Sequence, residues 1–290
     1  MTMQIGVTAY RPAGNNSLGK VAVVLVHAFP IDGRMWDRMA EKLNAQLDQD
    51  AELSGLPVYG FSMPGTPGVP VPSEEESGPR TEDGAYAQAL DRLSQAMIDK
   101  LHELGYEKAI WVGLSMGGYV VLRVHSLAPQ VVAGLALCDS TPAADSPQAR
   151  AGRLSIANNA EGAMGAEAVM KFARPSEHDS AVKKSADFID TFTQWIHEQP
   201  VEGLAWRERM AAGRPDQFDS WDSLRVPTLV VSGELDPSSS PAVMKPFAER
   251  VHGALFVEIP DTGHFTAFEQ PEQFATVLMS LFTMVLAAAE

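Results

Sequence analysis

The sequence contains a single cysteine, few basic residues relative to acidic ones, and no apparent targeting signal. Cys138 alone cannot form an internal disulfide, which favours a reducing compartment. The formal net charge of -15 disfavours nucleic acids, anionic membrane surfaces and strongly anionic substrates as partners, because like charges repel. Residues 1–11 lack a basic start, a long apolar middle and a small-residue cleavage site, so we expect no signal peptide and a cytoplasmic protein.

Long apolar runs and metal-ligand clusters are lacking as well. The most apolar tail, Val277–Ala289, is shorter than a membrane helix requires. With 290 residues, of which 45% are hydrophobic and 20% charged, the chain fits one large globular α/β domain with an insertion. Because no Cys/His ligand cluster and no phosphate-binding glycine loop occurs, we expect neither a metal nor an organic cofactor. The sequence gives no indication of oligomeric state.

Segments typical of strands and helices alternate along the chain, which predicts an α/β fold with a doubly wound, mostly parallel sheet. The predicted strands are apolar and rich in β-branched residues, as parallel strands buried on both faces are. They are Val21–Val26, Leu56–Phe61, Ala109–Val112, Val131–Leu137, Thr228–Val231 and Leu255–Ile259. Two clear helices are predicted at Tyr86–Leu104, which has an apolar face at helical spacing, and at Gly118–Leu127.

Ser115 lies in a Gly-Leu-Ser-Met-Gly pentapeptide between a predicted strand and a predicted helix. This pattern is typical of a nucleophile elbow, in which a sharp turn lifts the serine from the sheet and flanking glycines provide room. The alternative is an ordinary strand-to-helix turn whose serine caps the helix. The context of Ser115 favours the elbow, because the rest of the chain supplies its partners.

Asp236 and His264 each follow a predicted strand, Thr228–Val231 and Leu255–Ile259 respectively. In a parallel open sheet, functional residues gather outside the carboxyl ends of the strands, so Ser115, Asp236 and His264 are expected to meet at one edge. We predict that Ser115 is the nucleophile, His264 its base and Asp236 the acid that orients the imidazole.

A fourth motif, His27-Ala28-Phe29-Pro30, directly follows the predicted strand Val21–Val26. With these motifs and the order serine, acid, histidine, the sequence resembles the α/β-hydrolase superfamily from about residue 7 to residue 282. The resemblance implies that the backbone N-H groups of Phe29 and Met116 form an oxyanion hole. It also implies that His27 orients the oxyanion loop by hydrogen bonding. Ala28 departs from the glycine that the family usually has there.

The resemblance implies further features of the fold. An antiparallel hairpin is expected around Gly6–Tyr10, and a helical cap over the active site is expected at 140–224, within a core formed by 1–139 and 225–290. The cap segment contains Trp195, Trp206, Trp221, Phe172, Phe188, Phe192, Met164 and Met170. We expect most of these side chains to hold the cap together and the others to line an apolar substrate pocket.

Some site assignments have alternatives. Some relatives carry the catalytic acid after the preceding core strand, where Asp139 stands, although the turn around Asp236 favours Asp236. Glu234 is expected to be structural. Residues 62–84 are predicted to form a long irregular loop whose Glu74-Glu75-Glu76 run is solvated, with Met63 and its neighbours lining the mouth of the site.

The predicted function is that of a serine hydrolase that cleaves carboxylic esters through an acyl-enzyme. The expected partner is a small-molecule ester with an apolar or aromatic part, such as an aryl or hydroxycinnamoyl ester. The same triad would also suit a lactonase, a carbon-carbon bond hydrolase, an acyltransferase or a cofactor-free peroxidase. A hypothesis of another class is a ligand-binding protein that kept the fold without turnover.

Overall fold

The computed structural model describes residues 3–289, and the described chain folds around one seven-stranded sheet. The strands are β1 Gly6–Arg11, β2 Val21–Val26, β3 Val58–Ser62, β4 Lys108–Leu114, β5 Val132–Cys138, β6 Thr228–Gly233 and β7 Leu255–Ile259. In space they follow the order β1-β3-β2-β4-β5-β6-β7, and every neighbouring pair except β1 and β3 is parallel. The predicted doubly wound, mostly parallel sheet is therefore confirmed.

The first strand differs from the expected hairpin. β1 pairs antiparallel with β3, with Gly6 opposite Ser62, and makes no ladder with β2. Both edges of β2 are already occupied by the parallel neighbours β3 and β4. β1 instead pairs along the outer edge of β3, so sequence proximity to β2 does not decide its pairing.

Helices cover the two faces of the sheet and fill the insertion. The α-helices are α1 Asp37–Leu47, α2 Glu74–Ser77, α3 Ala89–Glu103, α4 Met116–Leu127, α5 Pro147–Glu161, α6 Ala186–His197, α7 Val201–Ala212, α8 Phe218–Asp222, α9 Pro241–Arg250, α10 Thr266–Glu269 and α11 Pro271–Ala289. Short 3-10 helices lie at Gly33–Trp36, Pro129–Val131 and Gly165–Phe172. The predicted apolar face of α3 is buried, and only Leu104, just past the end of the helix, is partly exposed.

The loop after β3 is less irregular than predicted. Its glutamate run forms the one-turn helix α2, where Ser73 accepts a hydrogen bond from Glu76 N-H and the Glu76 carboxylate accepts one from Ser73 N-H. This reciprocal arrangement is a capping box, which satisfies otherwise unpaired N-H groups at a helix start. Glu74 and Glu75 remain exposed, as expected for a solvated run.

Between β5 and β6, residues 140–224 contain α5 to α8 and the 3-10 helix Gly165–Phe172, and none of the sheet strands found in residues 3–289. We call these residues the helical segment. α5 packs extensively against α7 within it. The helical character of 140–224 agrees with the sequence pattern, whereas its status as a separate cap stays a prediction.

The last helix is longer than the apolar tail suggested, because α11 begins at Pro271. By length and composition it is sufficient to cross a membrane. Its apolar face is nevertheless turned inward: Phe274, Leu278 and Phe282 are fully buried, and the helix packs against α1. This packing is the behaviour of a core helix of an α/β domain.

Candidate active site

Ser115 occupies the sharp turn between β4 and α4. Its backbone has φ 54 and ψ -114, a region that residues with side chains rarely adopt. Two hydrogen bonds fix the backbone of Ser115: its N-H donates to the Cys138 carbonyl at 2.8 Å, and the Ser140 hydroxyl donates to its carbonyl at 2.7 Å. The neighbouring end of β5 thus holds the serine in its strained conformation.

The two glycines of the pentapeptide are required by close backbone approach. A Cβ added at Gly113 would lie 2.4 Å from the Gly117 carbonyl oxygen, and one added at Gly117 would lie 2.1 Å from the Val26 carbonyl oxygen. Both distances are far below van der Waals contact, so no residue with a side chain fits without moving the backbone. Gly113 and Gly117 therefore allow the first turn of α4 to pack closely against the ends of the sheet strands.

Ser115, His264 and Asp236 are brought together from the ends of β4, β7 and β6. His264 Nε2 lies 2.8 Å from Ser115 Oγ, and His264 Nδ1 lies 2.7 Å from Asp236 Oδ2. Asp236 is 1% exposed, and its other oxygen accepts the N-H groups of Ser238 at 2.8 Å and Ser239 at 3.1 Å. Three predicted site residues thus form one hydrogen-bonded chain, with the hydroxyl at its outer end.

The electrostatics of this chain favour a charged carboxylate and a basic imidazole. Burial opposes ionisation of Asp236, but the neighbouring His264 and the hydrogen bonds lower the pKa of the Asp236 carboxyl below its usual value. Burial likewise opposes protonation of His264, and Asp236, followed by Asp139 and Glu269, raises the pKa of the His264 imidazole above 6.5. The geometry therefore provides an imidazole that can accept a proton from Ser115 and hold it.

Asp139, the alternative acid, is fully buried and forms hydrogen bonds with residues other than His264. Its Oδ1 accepts the Gly233 N-H at 2.9 Å, and its Oδ2 lies 2.5 Å from the Thr266 hydroxyl. Burial and the nearby Asp236 carboxylate raise the pKa of Asp139 well above its usual value. No hydrogen bond joins Asp139 to His264 within the described chain, so the geometry favours Asp236 as the acid.

His27 and Met63 lie beneath the loop that follows β2. His27 is fully buried, with Nδ1 2.9 Å from the Ala28 carbonyl oxygen and Nε2 accepting the Met63 N-H at 3.0 Å. One ring nitrogen donates and the other accepts, as in a neutral imidazole. Burial and nearby Arg207 lower the pKa of His27 to about 4. Met63 is itself fully buried and does not line the site mouth, so that prediction for Met63 is wrong.

Phe29 and Met116, the predicted oxyanion-hole residues, line the same cavity as Ser115 and His264. Neither backbone N-H donates to another group among residues 3–289. The Phe29 loop is held from the helical segment by Arg207, a fully buried side chain whose guanidinium donates to the Ile31 carbonyl at 2.9 Å and to the Pro30 carbonyl at 3.4 Å. α7 therefore supports the loop that carries one of the two N-H groups.

The loop that carries His264 is held by Glu269, a buried residue that the sequence did not single out. The Glu269 carboxylate accepts the N-H of Gly263 at 2.7 Å and that of Phe265 at 3.0 Å. It also accepts the hydroxyl of Ser180 from the helical segment. One carboxylate thus binds the backbone on both sides of His264 and ties it to residues 140–224.

A cavity of about 360 Å³ opens above Ser115. Its floor is formed by core residues, among them Phe29 and Met116, and its opposite wall by the helical segment. Phe172 gives that wall an aromatic ring, at 6.0 Å from the Phe29 ring in an edge-to-face arrangement. The same wall also presents three charged side chains, Asp145, Arg153 and Arg214, which the sequence did not single out.

Most of the aromatic residues of the helical segment are structural, in agreement with expectation. Phe188 and Phe192 are fully buried and stack at 3.9 Å, and Trp221 is fully buried as well. Of the eight aromatic and methionine residues named for this segment, Phe172 alone lines the described cavity above Ser115. The pocket is consequently mixed in polarity rather than uniformly apolar.

The order of the sheet strands and the sharp turn at Ser115 are those of an α/β-hydrolase fold with a serine at the nucleophile elbow. Residues 23–277 match the model of the alpha/beta hydrolase family. The chain belongs to the alpha/beta hydrolase family, which confirms the resemblance inferred from the four motifs.

Individual relatives are similar over most of their length. A thermophilic esterase structure from Thermogutta terrifontis is 27% identical, with a TM-score of 0.80, covering 98% of this chain and 94% of that one. A 3-hydroxybutyrate-oligomer hydrolase from Cupriavidus necator is 27% identical over 195 residues, which are 62% of this chain and 67% of the relative. The enol-lactonase structure from Burkholderia xenovorans LB400, at 18% identity and a TM-score of 0.75 with 97% of each chain covered, shows the shared fold.

Proposed function

We propose that this protein is a serine hydrolase that cleaves carboxylic esters through an acyl-enzyme. The observation that carries the proposal is the continuous chain from Ser115 Oγ through His264 to Asp236, with distances of 2.8 and 2.7 Å. A serine hydroxyl is a weak nucleophile by itself and requires a base within hydrogen-bond reach. His264 meets that requirement at the floor of a substrate-sized cavity.

In the proposed reaction, His264 Nε2 removes the proton of the Ser115 hydroxyl as its oxygen attacks the ester carbonyl carbon. The Phe29 and Met116 N-H groups stabilise the resulting oxyanion, and Asp236 stabilises the imidazolium. The tetrahedral intermediate collapses when His264 protonates the leaving alkoxide, which leaves an acyl group on Ser115. Water then attacks the acyl carbonyl with His264 as base, and collapse releases the carboxylic acid and restores the hydroxyl.

The substrate is a small-molecule ester bound between the core and residues 140–224, which act as a cap in this proposal. Phe29 and Phe172 suit an apolar or aromatic part of the substrate. We place the protein in the cytoplasm, acting without a nucleic-acid or membrane partner, in line with its charge of -15. Relatives named as an esterase and an oligomer hydrolase support ester cleavage.

Lactone hydrolysis is the second candidate, since attack on a cyclic ester uses the same groups. One of the structures that share this fold is named as an enol-lactonase, which supports lactones as a second substrate class to test. A linear ester and a lactone differ in whether the alcohol leaves the site after acylation. A competition assay that contains a linear ester and a lactone therefore shows which of the two is hydrolysed faster.

The test is a panel of p-nitrophenyl, methyl hydroxycinnamate and lactone substrates, measured with the wild type and with Ser115→Ala. We expect ester hydrolysis by the wild type and a loss of about 10⁶-fold in kcat for the variant. Hydrolysis that survives in Ser115→Ala would contradict the proposal. A protein that binds these esters without turnover and forms no adduct with a fluorophosphonate probe would be a ligand-binding member of the family.

A further inference from the structure

The wall of the cavity opposite Ser115 carries a cluster of donors that the ester chemistry does not use. Arg153 on α5 and Arg214, just past α7, both line the cavity, together with Tyr119 of α4. The Arg214 guanidinium lies over the Tyr119 ring at 4.0 Å from its centre. Arg153 Nη2 donates to the Tyr119 hydroxyl at 3.1 Å. Two guanidinium groups, a hydroxyl and the Asp145 carboxylate therefore line the same cavity as the nucleophile.

The acceptors of this cluster are already engaged. Asp145 accepts Arg153 Nε at 2.7 Å and Arg214 Nη2 at 2.6 Å, one on each oxygen, and Glu208 accepts Arg153 Nη1 at 2.9 Å. Arg214 also donates to the carbonyls of Ala211 and Ala143. Asp145 and Glu208 are therefore both engaged in ion pairs with arginines.

The donors, in contrast, exceed the acceptors. A guanidinium has five N-H groups, and neither arginine uses all of them. Arg214 is only 6% exposed, and its Nε has no hydrogen-bond partner within the described chain. The Tyr119 hydroxyl hydrogen likewise has no acceptor among residues 3–289. The Arg214 Nε is itself fully buried, so the donors left for a ligand are the other unused guanidinium N-H groups and the Tyr119 hydroxyl.

We propose that Arg153, Arg214 and Tyr119 form a subsite for a free carboxylate, so that the substrate is an ester that carries a second, ionised carboxyl group. The proposal rests on the proposed ester hydrolysis and specifies its substrate class. A carboxylate matches the planar fork of a guanidinium and accepts several hydrogen bonds at once. The subsite corrects the expectation drawn from net charge alone, because local arginines oppose the overall negative field.

The test compares isosteric esters that differ in one group. The acyl-side pair is p-nitrophenyl hydrogen glutarate and the analogue in which isopropyl replaces its carboxylate. The alcohol-side pair is the acetate ester of γ-hydroxybutyrate and its isopropyl analogue. We expect the wild type to prefer the carboxylate member of at least one pair by about tenfold in kcat/KM.

Variants separate the subsite from a structural network. Arg214→Met and Arg153→Met should each reduce the preference for the carboxylate member to about twofold or less. Glu208→Gln should increase it, because it removes a negative charge that competes with the substrate carboxylate for Arg153. Arg174→Met, an exposed arginine of the same segment, is the matched control and should leave the ratio unchanged.

The outcomes distinguish this proposal from the proposed function. Hydrolysis of the neutral analogues without a carboxylate preference in either pair overturns the subsite and leaves the esterase proposal intact. Absence of hydrolysis with every ester would count against the esterase itself. If the arginine variants do not fold, the wild-type ratios and the Glu208→Gln ratio still decide, and a ratio that falls in Glu208→Gln contradicts the subsite.

Discussion

At the scale of single residues, two buried carboxyl groups near the catalytic edge have opposite roles. Asp236 is held ionised by His264 and by two backbone N-H groups, whereas burial favours the neutral form of Asp139. Asp139 joins the end of β6 to the start of α10 through Gly233 and Thr266. The same residue type is thus held ionised at one position and neutral at the other, according to its partners.

Replacing each aspartate by asparagine tests this division. Asp236→Asn should reduce kcat by about 10⁴-fold, because the amide cannot stabilise the imidazolium or hold its tautomer. Asp139→Asn should change kcat by less than about tenfold, because a neutral amide reproduces the neutral acid and both of its hydrogen bonds. Steady-state kinetics with a p-nitrophenyl ester measures both, and circular dichroism controls for folding. A larger loss in Asp139→Asn would reassign the acid.

Residue patterns in the sequence located much of the candidate site. Ser115, Asp236, His264 and Phe29 each lie within a few residues after the end of an apolar strand, so their grouping at one edge depends only on local order and on the parallel sheet. Arg153, Arg214 and Glu269 could not be found in this way. Their partners lie far away along the chain, as with Glu269 and Ser180, and nothing local to each residue signals such a pairing.

At the scale of elements, the helical segment is connected to both catalytic loops. Arg207 of α7 supports the loop that carries Phe29, and Ser180 contacts Glu269 beneath the loop that carries His264. Glu269 therefore positions His264 by binding the N-H groups of its two neighbours. The segment therefore contacts both loops of the core and also forms a wall of the cavity.

Glu269→Gln tests this positioning role. An amide has one acceptor oxygen, so at least one N-H beside His264 loses its partner, and kcat should fall by about tenfold or more. The acid limb of the kcat/KM profile should also move to lower pH, because Glu269 contributes to the raised pKa of His264. Ser180→Ala is the matched control: it removes the contact with the helical segment and should leave kcat within about twofold. An unchanged acid limb in Glu269→Gln would contradict the positioning role.

The strands and helices could be predicted from the sequence where an apolar run or a helical spacing of apolar residues marks them. β2 and β7 have the bounds that the sequence predicted, and the other core strands are displaced by one to a few residues, because strand ends are set by pairing with neighbours. The hairpin expected around Gly6–Tyr10 was wrong, since β1 pairs with β3, which lies far from it in the sequence. The helices of residues 140–224 were predicted as a group, but their mutual packing was not.

At the scale of the whole molecule, buried His27 links stability to pH. In the unfolded chain its pKa is near 6.5, and in the folded protein burial lowers that pKa to about 4. Since the folded state binds fewer protons in this window, His27 contributes stability above pH 6.5 that is lost as the pH falls toward 4. The loss from this group amounts to about 3 kcal/mol.

The comparison of His27→Gln with the wild type isolates this contribution. The variant should be less stable at neutral pH, because it cannot reproduce both ring hydrogen bonds, but its stability should fall less steeply between pH 6.5 and 4. Urea unfolding at several pH values measures the difference in slope, and the many carboxylates shared by both proteins cancel in that difference. Parallel pH profiles for the two proteins would contradict a neutral, buried His27.

The central claim is that Ser115 becomes acylated during turnover. The direct measurement is rapid acid quenching of the protein with a p-nitrophenyl ester, followed by peptide mapping and mass spectrometry. The account predicts a mass increase equal to the acyl group on the peptide that contains Ser115, and none in Ser115→Ala. Release of p-nitrophenolate with no acyl group on Ser115, or with the acyl group on another residue, would contradict it.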